Sequence, residues 1–146
     1  MKFKMIIDKT KEEEVVATVH GPSALTEKIQ QLVQEYTGAD RVAAWLEDDI
    51  KMLPFTQIAC ITVLEGKTFA IDSKGVHYRL KQRLYELEGM LPPSFIRINK
   101  SSIANEQMIE RFAANFSGAV DAVFRGGYRE YVSRRCFAEI KRRYHL

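Results

Sequence analysis

Phe95-Ile96-Arg97-Ile98-Asn99-Lys100-Ser101-Ser102-Ile103-Ala104-Asn105 is the stretch whose reading decides the fold. Phe95 to Ile98 reads as a strand, Asn99 to Ser102 interrupts it with polar side chains, and apolar residues resume at Ile103 and Ala104. Downstream, Met108–Phe112 and Ala119–Phe124 read as strands of a meander. Gly126-Gly127 supplies a turn that requires positive φ, and Tyr128–Val132 returns as a strand. Ser133 then caps a last helix with Phe137, Ile140 and Tyr144 on its inner face. Upstream, Val42–Leu46 and Ile50–Leu53 flank the acidic turn Glu47-Asp48-Asp49, and Ile58–Leu64 and Thr68–Ile71 flank Glu65-Gly66-Lys67. Both patterns predict hairpins. Val76-His77-Tyr78 reads as a strand entering a helix with Leu80, Leu84, Leu87 and Leu91 on one face, closed by Gly89 and Pro92-Pro93.

The first 38 residues follow a different pattern. Phe3, Met5 and Ile7 alternate loosely along one strand, and Val15–Val19 is a β-branched second one. After Gly21-Pro22, Ser23 is a helix cap, Leu25, Ile29, Leu32, Val33 and Tyr36 form an apolar stripe, and Gly38 closes the helix. A β-β-α appendage of this size buries little by itself, so it packs on the rest or on a second copy. The expected architecture is mostly β with two or three helices (α+β). Residues 1–38 are expected to form a dimerisation or regulatory element and residues 41–146 the main domain.

Length and composition narrow the function. The chain has 146 residues, 46% apolar and 28% charged, enough for one ordinary domain with a short appendage. No apolar run approaches the roughly 18 residues of a membrane span, and the N-terminal hydrophobic stretch is short and lacks a small-residue cleavage site. The expected location is the cytoplasm. Cys60 and Cys136 lie far apart inside apolar patterns and read as small buried hydrophobes, while His20, His77 and His145 form no cluster. No metal or cofactor is expected. There is no Gly-rich phosphate loop, no nucleophile beside a base and no pair of acids in an apolar setting, so neither an enzyme nor a small-molecule substrate is expected.

Charge is more informative when divided along the chain. Residues 97–146 carry 10 Lys/Arg against 5 Asp/Glu, whereas residues 1–96 carry 12 against 14. From Arg125 onward 7 basic residues face only Glu130 and Glu139. Such clustering is the footprint of a polyanionic partner, although a solvated basic helix has the same composition.

Three sites could carry the chemistry. With Ser133 as cap, Arg134 and Arg135 occupy the first helical turn, where a cation opposes the dipole at a cost of roughly 0.3–1 kcal/mol each. An anion would complete the site: free amides there favour phosphate, and arginine suits the O6/N7 edge of guanine. Pairing with an internal carboxylate is the alternative. Second, Asn99, Lys100 and Ser101 place three hydrogen-bonding side chains in succession, suited to adenine, guanine and phosphate, although a solvated turn would look similar. Third, Glu65-Gly66-Lys67-Thr68 is a hairpin tip with one lysine.

Together these segments resemble the LytTR family of bacterial DNA-binding domains. Phe95–Ser101, Ile103-Ala104-Asn105 and Met108-Ile109 are similar to its central signature, and Tyr131-Val132-Ser133-Arg134-Arg135 to its second. Tyr78-Arg79-Leu80 through Leu84, Leu87 and Glu88 resembles the helix the family places before Phe-x-Arg. The likeness runs from about Arg41 to Leu146. It implies an elongated sheet fold that presents loops, not a recognition helix, to successive major grooves of double-stranded DNA. Base contacts are then expected from Lys67 or Thr68, from Lys100 with Asn99, and from Arg135, with Arg97, Ser101 and Arg134 supporting or touching phosphate. Asn99 stands where histidine is common, and Cys136 where an aromatic is common. The family usually follows a receiver domain, for which about forty residues leave no room; the short N-terminus resembles a stand-alone subgroup. The resemblance implies a transcription regulator acting as a homodimer on repeated sites, with a small membrane protein as antagonist. A basic protein-interaction module for an acidic partner is the competing class. RNA binding ranks third, because Tyr128 and Tyr131 alternate poorly with the arginines.

Overall fold

The computed structural model describes residues 1–37 and 39–146. Its elements in chain order are α1 (Ala24–Thr37), β1 (Arg41–Leu46), β2 (Asp49–Pro54), β3 (Ile58–Leu64), β4 (Lys67–Asp72), β5 (His77–Leu80), α2 (Leu84–Glu88), β6 (Phe95–Asn99), β7 (Ser102–Asn105), β8 (Ile109–Ala114), β9 (Val120–Phe124), β10 (Arg129–Val132) and α3 (Arg134–Arg143). Short 3₁₀ turns over Phe55–Gln57 and Glu106–Met108 link β2 to β3 and β7 to β8. The strands form a seven-stranded sheet, ordered β2-β1-β5-β4-β3-β7-β6, and a three-stranded sheet, β10-β9-β8. Every pairing is antiparallel.

Turn chemistry sets the registers. Glu65 and Gly66 both take positive φ, 51° and 75°, giving a two-residue turn whose twist matches its strands and places Leu64 opposite Lys67. Gly126 and Gly127, at 91° and 97°, lie in the three-residue loop Arg125–Gly127 that sets Phe124 opposite Tyr128 between β9 and β10. Gly126 also lies against the backbone of Ser73, where an added Cβ would sit 1.8 Å from the carbonyl oxygen. That close approach sets the β9–β10 loop of the small sheet directly against the β4–β5 turn of the large one.

β3 is buried along most of its length, which explains its nearly unbroken apolar run Ile58-Ala59-Cys60-Ile61. A bulge between Ile58 and Cys60 reassigns its faces. Ile58 and Ile61 join Val42, Leu53, Phe55, Leu80, Leu84 and Leu87 in one core. Ala59 and Cys60 join Ile98, Ala104, Phe124, Val132 and Ile140 in the other, which holds the small sheet and α3.

Three expectations need correction. Of the expected β-β-α appendage the helix forms, but residues 1–7 and 12–19 form no strand, because among the described residues no neighbouring backbone accepts their hydrogen bonds. The turn between them does form, with Asp8 Oδ1 accepting from the Thr10 amide at 2.9 Å and Asp8 O from the Lys11 amide at 3.4 Å. Ser23 caps α1, its Oγ accepting from the Thr26 amide at 3.4 Å, whereas Gly38 lies outside the described residues. The predicted helix from Leu80 to Leu91 shrinks to Leu84–Glu88. Leu80 instead enters the same core from β5, alternating with the exposed His77 and Arg79. Finally, the stripe on α1 is not a core face, since no residue of that helix is buried.

Candidate nucleic-acid interface

Three loops meet at one end of the sheets. The first is the β3–β4 tip at Glu65-Gly66, the second the β6–β7 turn at Lys100-Ser101, and the third the passage from β10 into α3 at Ser133. Hydrogen bonds stitch them in a row. The Val63 amide donates to Ser101 O at 2.9 Å, and the Thr62 and Ser102 hydroxyls share a buried bond of 2.8 Å, joining the first loop to the second. Asn99 Nδ2 donates to Tyr131 O at 2.7 Å, and the Ser133 amide donates to Ile98 O at 2.8 Å, joining the second to the third.

The third loop has the features of an anion site. Ser133 Oγ accepts from the Cys136 amide at 3.2 Å, and Ser133 O accepts from the Phe137 amide, completing the cap. The amides of Arg134 and Arg135, in the first turn, have no acceptor within the helix. Both side chains are exposed, and among the described residues neither forms an ion pair. Two cations at the positive end of a dipole, beside unspent amides, create a local excess of positive potential. Lys67 and Lys100 add exposed positive charge at the other two loops, again with no carboxylate partner among the described residues.

The supporting frame is polar, buried at Asn99 and half-exposed at Arg97. Asn99 Oδ1 accepts from the Ser101 amide at 2.8 Å, so this side chain spends both its donor and its acceptor on holding the loops. Arg97 Nε pairs with Glu88 Oε1 at 2.8 Å, and Arg97 Nη1 donates to Lys100 O at 3.0 Å, tying α2 to the second loop. Farther along α3, Arg143 reaches Glu106 at 3.0 Å and anchors the end of the helix. Burial raises the Glu106 carboxyl above its ordinary range, opposed by Arg143. Burial, reinforced by a 2.7 Å hydrogen bond to Glu130, pushes the Tyr128 hydroxyl well above the usual tyrosine range. It is therefore neutral and structural at physiological pH.

Residues 48–145 match the family described as the LytTr DNA-binding domain. The chain belongs to the LytTR family. A Staphylococcus aureus (strain MSSA476) protein named as an uncharacterized HTH-type transcriptional regulator is 30% identical over 146 residues, covering 98% of this chain and 97% of the relative. Its counterpart in strain NCTC 8325 is 28% identical with the same coverage. The solved LytTr DNA-binding domain of a Bacillus cereus response regulator superposes with a TM-score of 0.66 at 22% identity, covering 73% of this chain and 98% of that one. At that identity the likeness concerns the fold: a mostly β LytTR architecture with three helices, as expected.

Within this LytTR fold the predicted site residues divide into two groups. Lys67, Lys100, Ser101, Arg134 and Arg135 are exposed on the three loops. Thr68, Asn99 and Arg97 are placed differently. Thr68 is buried, facing Val63 and Leu80 across the sheet, so Lys67 is the residue this tip presents. Asn99, expected at a base together with Lys100, is 4% exposed and is held by one donated and one accepted hydrogen bond within the protein. Arg97, expected as a supporting or phosphate contact, is held by Glu88 and the Lys100 carbonyl. Sequence reasoning did not identify Glu88 as the partner of Arg97, nor Tyr131 O as the acceptor for Asn99. The one signal was an acid on the helix just before the Phe-x-Arg pair. Among the described residues no group of His, Cys, Asp and Glu could hold a metal, and no helix is long and apolar enough to cross a membrane.

Proposed function

We propose that this chain is a sequence-specific transcription regulator. Loop residues read successive major grooves of double-stranded DNA, and the protein binds repeated sites as a dimer. The observation that carries the reading is the pair Arg134 and Arg135: exposed, without carboxylate partners among the described residues, at the capped start of α3 and tied through Asn99 and Ser133 to the Lys100 loop, which Val63 and Thr62 join to the Lys67 loop. In this reading Arg135 contacts guanine O6/N7, Lys100 and Lys67 contact bases or phosphates of the neighbouring turn, and Ser101 and Arg134 hold phosphate. Asn99 and Arg97 are positioning residues that fix the spacing of the loops. Residues 41–146 form the DNA-binding part and residues 1–38 a separate element. The names of the staphylococcal relatives support a regulatory role.

Selection from a pool of random duplexes tests this reading. A conserved motif appearing twice, about one helical turn apart, is the expected product. Affinity for that duplex should fall steeply with salt, and by at least a thousandfold for unrelated sequences at fixed salt. Recovery of no motif by folded protein, together with salt-sensitive capture of an acidic protein on the same face, would favour the protein-interaction module instead.

A further inference from the structure

The N-terminal element is built inside out for a monomer. On α1 the residues beside the groove over Phe55, Thr56 and Pro92-Pro93 are Ala24, Lys28, Gln31 and Glu35, at helical spacing, with Glu27 and Gln34 next to them. The helix thus turns its polar face toward its own domain. Much of its apolar stripe stays uncovered: Leu25 is 41% exposed, Leu32 64% and Tyr36 80%, while Ile29 and Val33 are half-buried. An amphipathic helix gains stability by burying the apolar face, so this orientation is costly for a solitary chain. Ahead of it, Met1, Phe3, Met5, Ile6, Ile7, Val15, Val16 and Val19 are all exposed. Eleven large exposed apolar side chains therefore lie between Met1 and Tyr36, a density more typical of an interface than of a free surface. The backbone points the same way. Among the described residues the Asp8–Lys11 turn makes the one backbone–backbone hydrogen bond within residues 1–22, so two segments of β pattern flank a formed turn with no backbone partner there for their amides.

We infer that residues 1–37 form a homodimer interface whose occupant is the same element of a second copy. Charge complementarity selects that partner. Residues 1–11 carry four lysines against Asp8, a net of +3, whereas residues 12–37 carry five glutamates against Lys28, a net of −4. Across a two-fold axis the basic arm of each copy meets the acidic following segment of the other, and the contact is made twice. An acidic or a basic partner would satisfy one half and repel the other. Size agrees as well. A stable dimer takes roughly 20–30 residues and about 800 Å² from each side, within reach of a 37-residue element this exposed. Two copies also bring four β-patterned segments and two helices together, enough for an ordered layer where one two-stranded arm alone is marginal. Because α1 leads into β1 through Asp40, the dimer would set the distance between two DNA-reading ends. In that respect it supplies the pairing assumed in the functional reading above, but it forms without DNA.

The test is made on the full chain in the absence of DNA. Sedimentation equilibrium or light scattering should give twice the 16.8 kDa chain mass at micromolar concentration, with the dimer loosening as salt rises. Ile7→Glu with Leu32→Glu, both at exposed positions, should shift the protein to monomer. Its thermal unfolding should be as cooperative as before, and its affinity for a duplex with one motif within twofold of the parent. Lys4→Glu should weaken the dimer at least tenfold, and Glu13→Lys in the same chain should restore part of it. A wild-type monomer at 50 μM would overturn the inference, as would a dimer that survives the double substitution. Monomeric protein that binds vesicles of anionic phosphatidylglycerol through this element would also overturn it, in favour of a membrane surface. In each of those cases duplex binding by the monomer would leave the DNA reading intact.

Discussion

Replacing Asn99 by alanine separates the two roles that the residue could have. Asn99 donates to Tyr131 O at 2.7 Å and accepts from the Ser101 amide at 2.8 Å while only 4% exposed. Truncation leaves the Tyr131 carbonyl without its partner in a half-buried setting, at a cost of roughly 1–2 kcal/mol. The Ser101 amide lies on an exposed turn where water can replace the lost acceptor, so its share is about 0.5–1 kcal/mol. The sum is about 1.5–3 kcal/mol, a large fraction of the stability of a domain this size. Urea unfolding of the full chain should show that loss as an earlier midpoint with an unchanged slope. Fluorescence anisotropy against the selected duplex and its single-base variants should show weaker binding to all of them in similar proportion, because the spacing of the loops is disturbed and not one base contact. Unfolding free energy within about 0.5 kcal/mol of the parent, with preference lost at a single base pair, would refute the positioning role.

Other expectations follow from the same geometry. Arg135→Ala should cost about 1–3 kcal/mol of duplex affinity and flatten preference at one position, while Arg134→Ala should weaken all duplexes alike and reduce the salt slope by about 1; both are read by anisotropy across a salt series. Arg97→Ala should change unfolding free energy by less than about 1 kcal/mol, since its pair with Glu88 is half-exposed, yet reduce duplex affinity by releasing the Lys100 carbonyl. Gly126→Ala should lower the unfolding midpoint sharply, because the new Cβ meets the Ser73 carbonyl and φ is +91°. Burial raises the Cys60 thiol well above the ordinary range, so at pH 8 it remains protonated and should react with a disulfide reagent only after the protein unfolds.

Much of this fold is legible in the residues themselves, and the exceptions share a cause. The β3–β4 hairpin follows from two β-patterned runs around Glu65-Gly66, and α3 from Ser133 ahead of Phe137 and Ile140; each is fixed by local chemistry. Leu80 was harder to place. Its spacing to Leu84 and Leu87 fits a helix, but the same core is reached from a strand that alternates buried and exposed residues and stops before Arg83. Pattern alone cannot separate a strand running into a short helix from one longer helix. At the site, the exposure of Lys100 and Arg135 is legible because each sits on a turn or at a helix start. The burial of Asn99 is not. Strict alternation along β6 would put Asn99 on the same face as the exposed Arg97, but the ladder slips between them, and Asn99 turns inward beside Ile98. A bulge of this kind depends on the partner strand, so it leaves no trace in the run Arg97-Ile98-Asn99. The N-terminal strands are the reverse case. Their alternation is present in the sequence, but a strand exists only where another backbone completes it.

Methylation protection of guanine N7 on the selected duplex is the most direct measurement of groove reading by these loops. Two clusters of protected guanines, in successive major grooves about 10 base pairs apart, are predicted, with the guanine assigned to Arg135 losing protection in Arg135→Ala. Unprotected guanine N7 atoms under a bound protein, or a protection pattern identical in Arg135→Ala, would contradict the account.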